Sequence, residues 1–225
     1  MTLRWAPDVA ALVSAIALLA FALPGWLWVR RGGHRRPGDT GERRGAHWLP
    51  LACLALGGGL GFSHWATRGF LVVLVVAAAL LLVLTAVDLD VHRLPDVLTG
   101  PLFLVVLGGL LVVGLGAGDL TAWRRSLVAG AVTAVLYLVL VLLGGGSGMG
   151  MGDLKLAPSL GMLLGHVSYG AAIGGTVLSF LVGGLAATWL LLARGADRNT
   201  QLAFGPAMVV GTMAVLCLPT LGSLP

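Results

Sequence analysis

The chain has 225 residues, of which 58% are hydrophobic and only 10% charged, and its mean hydropathy is +0.98. Too few polar residues remain to cover a soluble domain of this size, which excludes an ordinary soluble globular protein. The net charge of +5 is carried mostly by arginines in loops beside apolar runs, so it reads as a membrane-topology signal and not as a nucleic-acid footprint.

A membrane-spanning helix needs roughly 20 apolar residues. Apolar runs predict spans at about 9–29, 49–66, 69–87, 98–116, 126–145, 155–166, 168–193 and 205–222. The runs are continuous rather than alternating, which argues against a β-barrel. The expected fold class is an all-α polytopic membrane protein with about eight transmembrane helices. The first run is longer than a signal-peptide core and lacks a clear small-residue cleavage site, so it is expected to be a retained span. The sixth run is short and follows a glycine-rich stretch, which predicts a half-span lining a cavity. Three regions result: a first span at 1–29, a basic loop at 30–47, and a membrane-embedded unit at 48–225.

Loop 30–47 holds Arg30, Arg31, Arg35, Arg36, Arg43 and Arg44. Positively charged loops stay in the cytoplasm, so this loop and those at 88–97, 146–154 and 194–204 are assigned there. Ten of the fourteen basic residues then lie inside, while Arg124 and Arg125 fall outside against the rule. Small-xxx-small pairs at Gly57/Gly61, Gly161/Gly165 and Gly170/Gly174 suit close helix packing. Cys53 and Cys217 are far apart, and the five histidines have no metal-ligand spacing, so neither a metal nor a cofactor is expected.

Nine residues are acidic, and four of them lie in two short stretches, Asp88–Asp96 and Gly150–Lys155. Carboxylates beside membrane spans are costly and usually functional. Asp88 ends the apolar run 69–87 and is expected to cap its helix. Pro95 blocks helical continuation, and Asp96 sits where a helix N-terminus favours a carboxylate. Asp90 reads as an interfacial cap. Gly144–Gly152 contains six glycines in nine residues, which permits positive φ and close backbone approach, and Asp153 opens the helix that follows. The predicted topology puts Asp88 and Asp153 on the same face. Two carboxylates that meet are the minimum equipment of an aspartic hydrolase. Lys155 and Ser159 are spaced like a Ser–Lys nucleophile pair, but Ser159 follows Pro158 and would point into an apolar helix, so Lys155 is expected to pair with a nearby Asp or to anchor the interface.

Asp-x6-Pro-Asp (Asp88, Pro95, Asp96) followed by Gly-x-Gly-Asp-x-Lys (Gly150, Gly152, Asp153, Lys155) resembles the type IV prepilin peptidases, polytopic aspartic proteases of the bacterial inner membrane. Phe204-Gly205-Pro206 is also similar to that family. The resemblance covers about residues 49–222. It implies that Asp88 and Asp153 are catalytic at the cytoplasmic face, with Pro95, Asp96, Gly150, Gly152 and Lys155 in support. It implies a prepilin or pseudopilin substrate with a short basic leader, which Asp90 or Asp96 would attract. Bifunctional members carry a cytoplasmic insert with two Cys pairs, associated with N-methylation; loop 30–47 is short and has no Cys, so methylation by this chain is not expected. The rival classes are a transporter using intramembrane carboxylates, a non-catalytic assembly subunit, and an intramembrane protease that cuts within a helix.

Overall fold

The computed structural model describes residues 6–36, 38–39, 45–143, 150–194 and 203–218. Among them are eight α-helices and no strand: α1 (Pro7–Arg30), α2 (Leu49–Ser63), α3 (Arg68–Val91), α4 (Asp96–Ala117), α5 (Thr121–Leu143), α6 (Met151–Val167), α7 (Tyr169–Arg194) and α8 (Gly205–Cys217). The apolar runs foresaw every one. Proline opens α1, α2 and α8, where its missing N–H is no loss. His92 and Gly118 end α3 and α4 in the left-handed region, at φ 52° and 68°.

Five helices, α1, α3, α4, α5 and α7, are long and apolar enough to cross a membrane. The others are shorter, at 15, 17 and 13 residues. The sixth differs from expectation. It starts at Met151, four residues before the predicted span, and its 17 residues rise about 25 Å.

Helix α3 is the hub. Its apolar window is 78% buried, against 22–28% for the other four long helices. Apolar side chains gain little from leaving lipid, so helices in a membrane associate through close packing. The glycine pairs do this work. A Cβ on Gly57 or Gly61 would come within 2.7 and 2.5 Å of the α1 backbone. One on Gly161 or Gly165 would come within 2.6 and 2.4 Å of Thr133 and Ala129 in α5. The tightest neighbours are accordingly α1 with α2 and α5 with α6.

Arg125, the exception to the charge rule, has a structural task. Its guanidinium donates to the carbonyls of Gly165 (2.7 Å), Val167 (3.0 Å) and His166 at the end of α6. These are orphan acceptors of a helix C-terminus, where a cation is also favoured by the dipole. At the other end of α6, the starts of α6 and α8 meet the end of α3 and the segment leading into α4.

Candidate active site

Asp88 lies in the last turn of α3. The helix runs on past it to Val91, so Asp88 does not cap the helix as the apolar run suggested. The stop is His92, whose left-handed backbone turns the chain and whose N–H donates to the Asp88 carbonyl at 2.9 Å. The Asp88 side chain therefore projects into the bundle and not from its rim. Asp88 is 5% exposed, and its Oδ2 is buried with no hydrogen-bond partner among the described residues. The first residue of α8 stands against it. A Cβ on Gly205 would lie 2.7 Å from Asp88 Oδ2, so any larger residue there must displace the carboxylate or the helix.

Asp153 is the third residue of α6 and is 6% exposed. Its Oδ2 accepts the Gly150 N–H at 3.3 Å, and its own N–H donates to the Gly150 carbonyl at 3.1 Å. The carboxylate thus caps its own helix. Gly150 has φ −71°, so the positive φ expected of the glycine stretch is not used here; residues 144–149 lie outside the described residues. Gly152 serves close approach instead: a Cβ there would be 3.0 Å from Leu94 Cβ. Leu94 also lies 3.6 Å from the Cβ position of Gly205. It is a wedge between the starts of α6 and α8, and it holds both around the end of α3. Tyr137 of α5 has its ring 5.6 Å from Phe180 and 6.4 Å from Phe204, the residue that precedes α8.

The remaining described aspartates of this end are all paired with cations. Asp90 accepts Arg35 Nε and Nη2 at 2.8 and 2.7 Å and approaches His34 Nε2 at 2.7 Å. Its side chain is only 1% exposed. It is neither an interfacial cap nor free to attract a basic leader: it pins the basic loop to the end of α3. Asp96 opens α4 after Pro95, and its Oδ1 is 2.5 Å from Lys155 Nζ. This exposed pair ties the start of α4 to the start of α6. Asp39 bonds the Arg36 N–H and the Arg93 guanidinium. The Arg36 N–H first, and the nearby Arg93 and Arg35 charges, hold its carboxyl below the usual carboxylate range. Asp88 and Asp153 have no ion-pair partner among the described residues, although they are the two buried aspartates there.

The Ser–Lys alternative is not formed. Ser159 is fully buried with an unpartnered Oγ, whereas Lys155 is turned outward to Asp96. No three His, Cys, Asp or Glu side chains among the described residues converge as a metal site would require. The sequence did not mark Leu94, the Asp90 pin or the approach of Gly205 to Asp88. Those contacts join positions 55 or more apart or depend on the absence of a side chain.

The family model described as "Type IV leader peptidase family" matches residues 75–192, a stretch that holds both unpaired aspartates. The chain is 32% identical over 212 residues to the "Prepilin leader peptidase/N-methyltransferase" of Aeromonas hydrophila, covering 89% of this chain and 67% of the relative. It is 34% identical over 147 residues to the protein of the same name from Aeromonas salmonicida (strain A449), covering 60% of this chain and 46% of the relative. This chain therefore spans about two thirds of one relative and about half of the other. No solved structure matches. With over half its length under the family model and both aspartates inside the match, the chain belongs to the type IV leader peptidase family.

Proposed function

We propose that the protein is an aspartic endopeptidase of the bacterial inner membrane that removes the short basic leader from prepilin or pseudopilin precursors, with Asp88 and Asp153 as its dyad. The observation that carries this is the pair of buried carboxylates without a cation. Every other described aspartate at that end of the bundle has a positive partner. Burying an uncompensated carboxylate is expensive, and two side by side hold one proton between them because both cannot ionise cheaply. That is the state an aspartic hydrolase requires.

The ionised carboxylate takes a proton from water as the water attacks the scissile carbonyl. The protonated one donates to the developing oxyanion and then to the leaving amine. The dyad needs no metal for these steps. Leu94, Gly152 and Gly205 hold the two helix starts against the end of α3, an arrangement that supports one water serving both carboxylates, and the Asp96–Lys155 pair ties α4 to α6. The arginines of residues 30–36 favour a cytoplasmic placement of this end, where a leader would remain. The loop at 30–47 has no Cys, which supports a reading of this chain as a peptidase without the N-methylating function.

The test is cleavage in membranes. The chain is co-expressed with a tagged, helix-bearing precursor and compared with Asp88→Asn and Asp153→Asn at equal abundance. Each single variant is expected to lose the leader-sized mobility shift, by a factor of about a thousand or more in rate. A shift that survives either substitution would overturn the dyad, and no shift from folded wild type with several leaders would overturn the peptidase.

A further inference from the structure

The family match begins at residue 75, so the basic loop lies outside it, yet the loop is bound to the candidate site at two points. Asp90, in the last turn of α3, accepts Arg35 through both oxygens and approaches His34. The His34 ring stands edge-on to Trp28 of α1, with centroids 5.7 Å apart. Asp39 pairs with Arg93, which lies beyond the end of α3. The two pairs therefore clamp the connection that leaves α3 both before and after the left-handed turn at His92. The first is enclosed: the His34 and Asp90 side chains are 2% and 1% exposed, and a carboxylate so buried needs its cation in place. A loop serving topology alone would keep its arginines in water. This one spends Arg35 on a buried carboxylate two positions from Asp88.

The clamped connection carries one apolar side chain inward. Leu94 follows Arg93 directly and precedes Pro95, which disfavours helical backbone at the residue before it. It belongs to neither α3 nor α4 and packs on the core. Its Cβ, Cγ and Cδ1 lie between 3.0 and 3.3 Å from the Cβ position of Gly152, and its Cδ1 lies 3.6 Å from that of Gly205. Gly152 is the neighbour of Asp153, and Gly205 stands against Asp88 Oδ2. One side chain thus touches both helix starts that complete the site, and its own backbone continues from the helix that bears Asp88. We infer that Leu94 is a positioning residue for the dyad and that the basic loop is its buttress: residues 34–39 hold the connection at Asp90 and Arg93, and Leu94 passes that hold to the starts of α6 and α8. The inference rests on the proposed leader peptidase activity.

The test follows cleavage of a helix-bearing precursor by the full chain in membranes, beside hydrogen exchange. Leu94→Ala is expected to lower kcat about tenfold or more with KM within about twofold, because misplaced carboxylates leave binding intact and slow the reaction. Leu94→Met refills the space and is expected to stay within about threefold of wild type. Asp39→Asn together with Asp90→Asn is expected to lower kcat about threefold to tenfold, and to add little when joined to Leu94→Ala, since both act through one connection. Exchange should rise at 150–155 and 204–208 in Leu94→Ala and stay unchanged at 164–168, where Arg125 closes α6. Leu94→Val, a milder truncation, carries the same comparison if Leu94→Ala does not accumulate. An unchanged kcat, a loss confined to KM, or full additivity of the loop and Leu94 variants would overturn the inference. If wild type cleaves no precursor, the peptidase reading falls, and unchanged exchange at the two helix starts would then overturn the wedge and its buttress as well.

Discussion

Gly205 and Asp88 are 117 positions apart, yet the missing side chain of one makes room for the carboxylate of the other: a Cβ at 205 would sit 2.7 Å from Asp88 Oδ2. The start of α8 is thereby the third wall of the site, beside the end of α3 and the start of α6. Gly205→Ala must push either the carboxylate or the helix aside. The expected result is a drop in kcat of at least about tenfold, while overpacking costs about 1–3 kcal/mol of stability. Cleavage rates set beside thermal melting in detergent would check this. Full activity in Gly205→Ala would mean that α8 does not shape the site.

Arg125 should matter for stability and not for chemistry. It closes three carbonyls at the end of α6 far from the dyad. Arg125→Ala leaves those acceptors open and is expected to destabilise the protein by about 1.5–3 kcal/mol, the range for bonds to a charged donor. At a temperature where the variant stays folded, its cleavage rate should match wild type.

Lys155 offers the converse case. It stands in the family-like motif, but its pair with Asp96 is exposed, with side chains 50% and 73% accessible. Such pairs contribute about 0–1 kcal/mol. Lys155→Gln should therefore melt like wild type and keep its rate within about threefold. A rate as low as that of Asp153→Asn would give Lys155 a part in catalysis.

These contrasts indicate what a sequence of this kind carries. All eight helices were legible, because apolar run length is nearly sufficient to define a helix in lipid. The return of Asp88 and Asp153 to one end of the bundle was legible too, since alternating spans bring both there. The helix boundary after Asp88 was not: it depends on His92 adopting a left-handed backbone, which nothing local in Asp-Val-His-Arg announces. The pin from Asp90 to His34 and Arg35 was equally hidden. From sequence, six arginines in a loop look like a solvated topology signal, and only the folded chain spends one of them on a buried carboxylate. Arg125 looked like a violation of the charge rule because its partner carbonyls belong to another helix.

A pH effect follows from Asp39. Its carboxyl is held below the ordinary range by the Arg36 N–H and by Arg93. A depressed folded value means the contribution is fully present above the unfolded value, about pH 4, and is lost as pH falls through the folded value. The segment after α1 should therefore stay attached to Arg93 at neutral pH and loosen in acid. Trypsin-like cleavage after Arg36 cannot be followed in acid, so an acid-active protease or hydrogen exchange at residues 31–39 is the suitable probe. Asp39→Asn should give the loosened pattern already at pH 7.

The central position of α3 bears on when the enzyme can first act. One of its two candidate carboxylates, Asp88, emerges from the ribosome well before α6 and α8, at the end of a strongly apolar segment. At that moment the carboxylate faces lipid or interface, alone. Asp153 arrives some 65 residues later, and the wall at Gly205 some 50 after that. A half-made chain thus carries one or both carboxylates but not the wall at Gly205, and on the proposed dyad cleavage would wait on the insertion of α8. Synthesis order itself would then act as a safety catch on a protease made inside a membrane full of other helices.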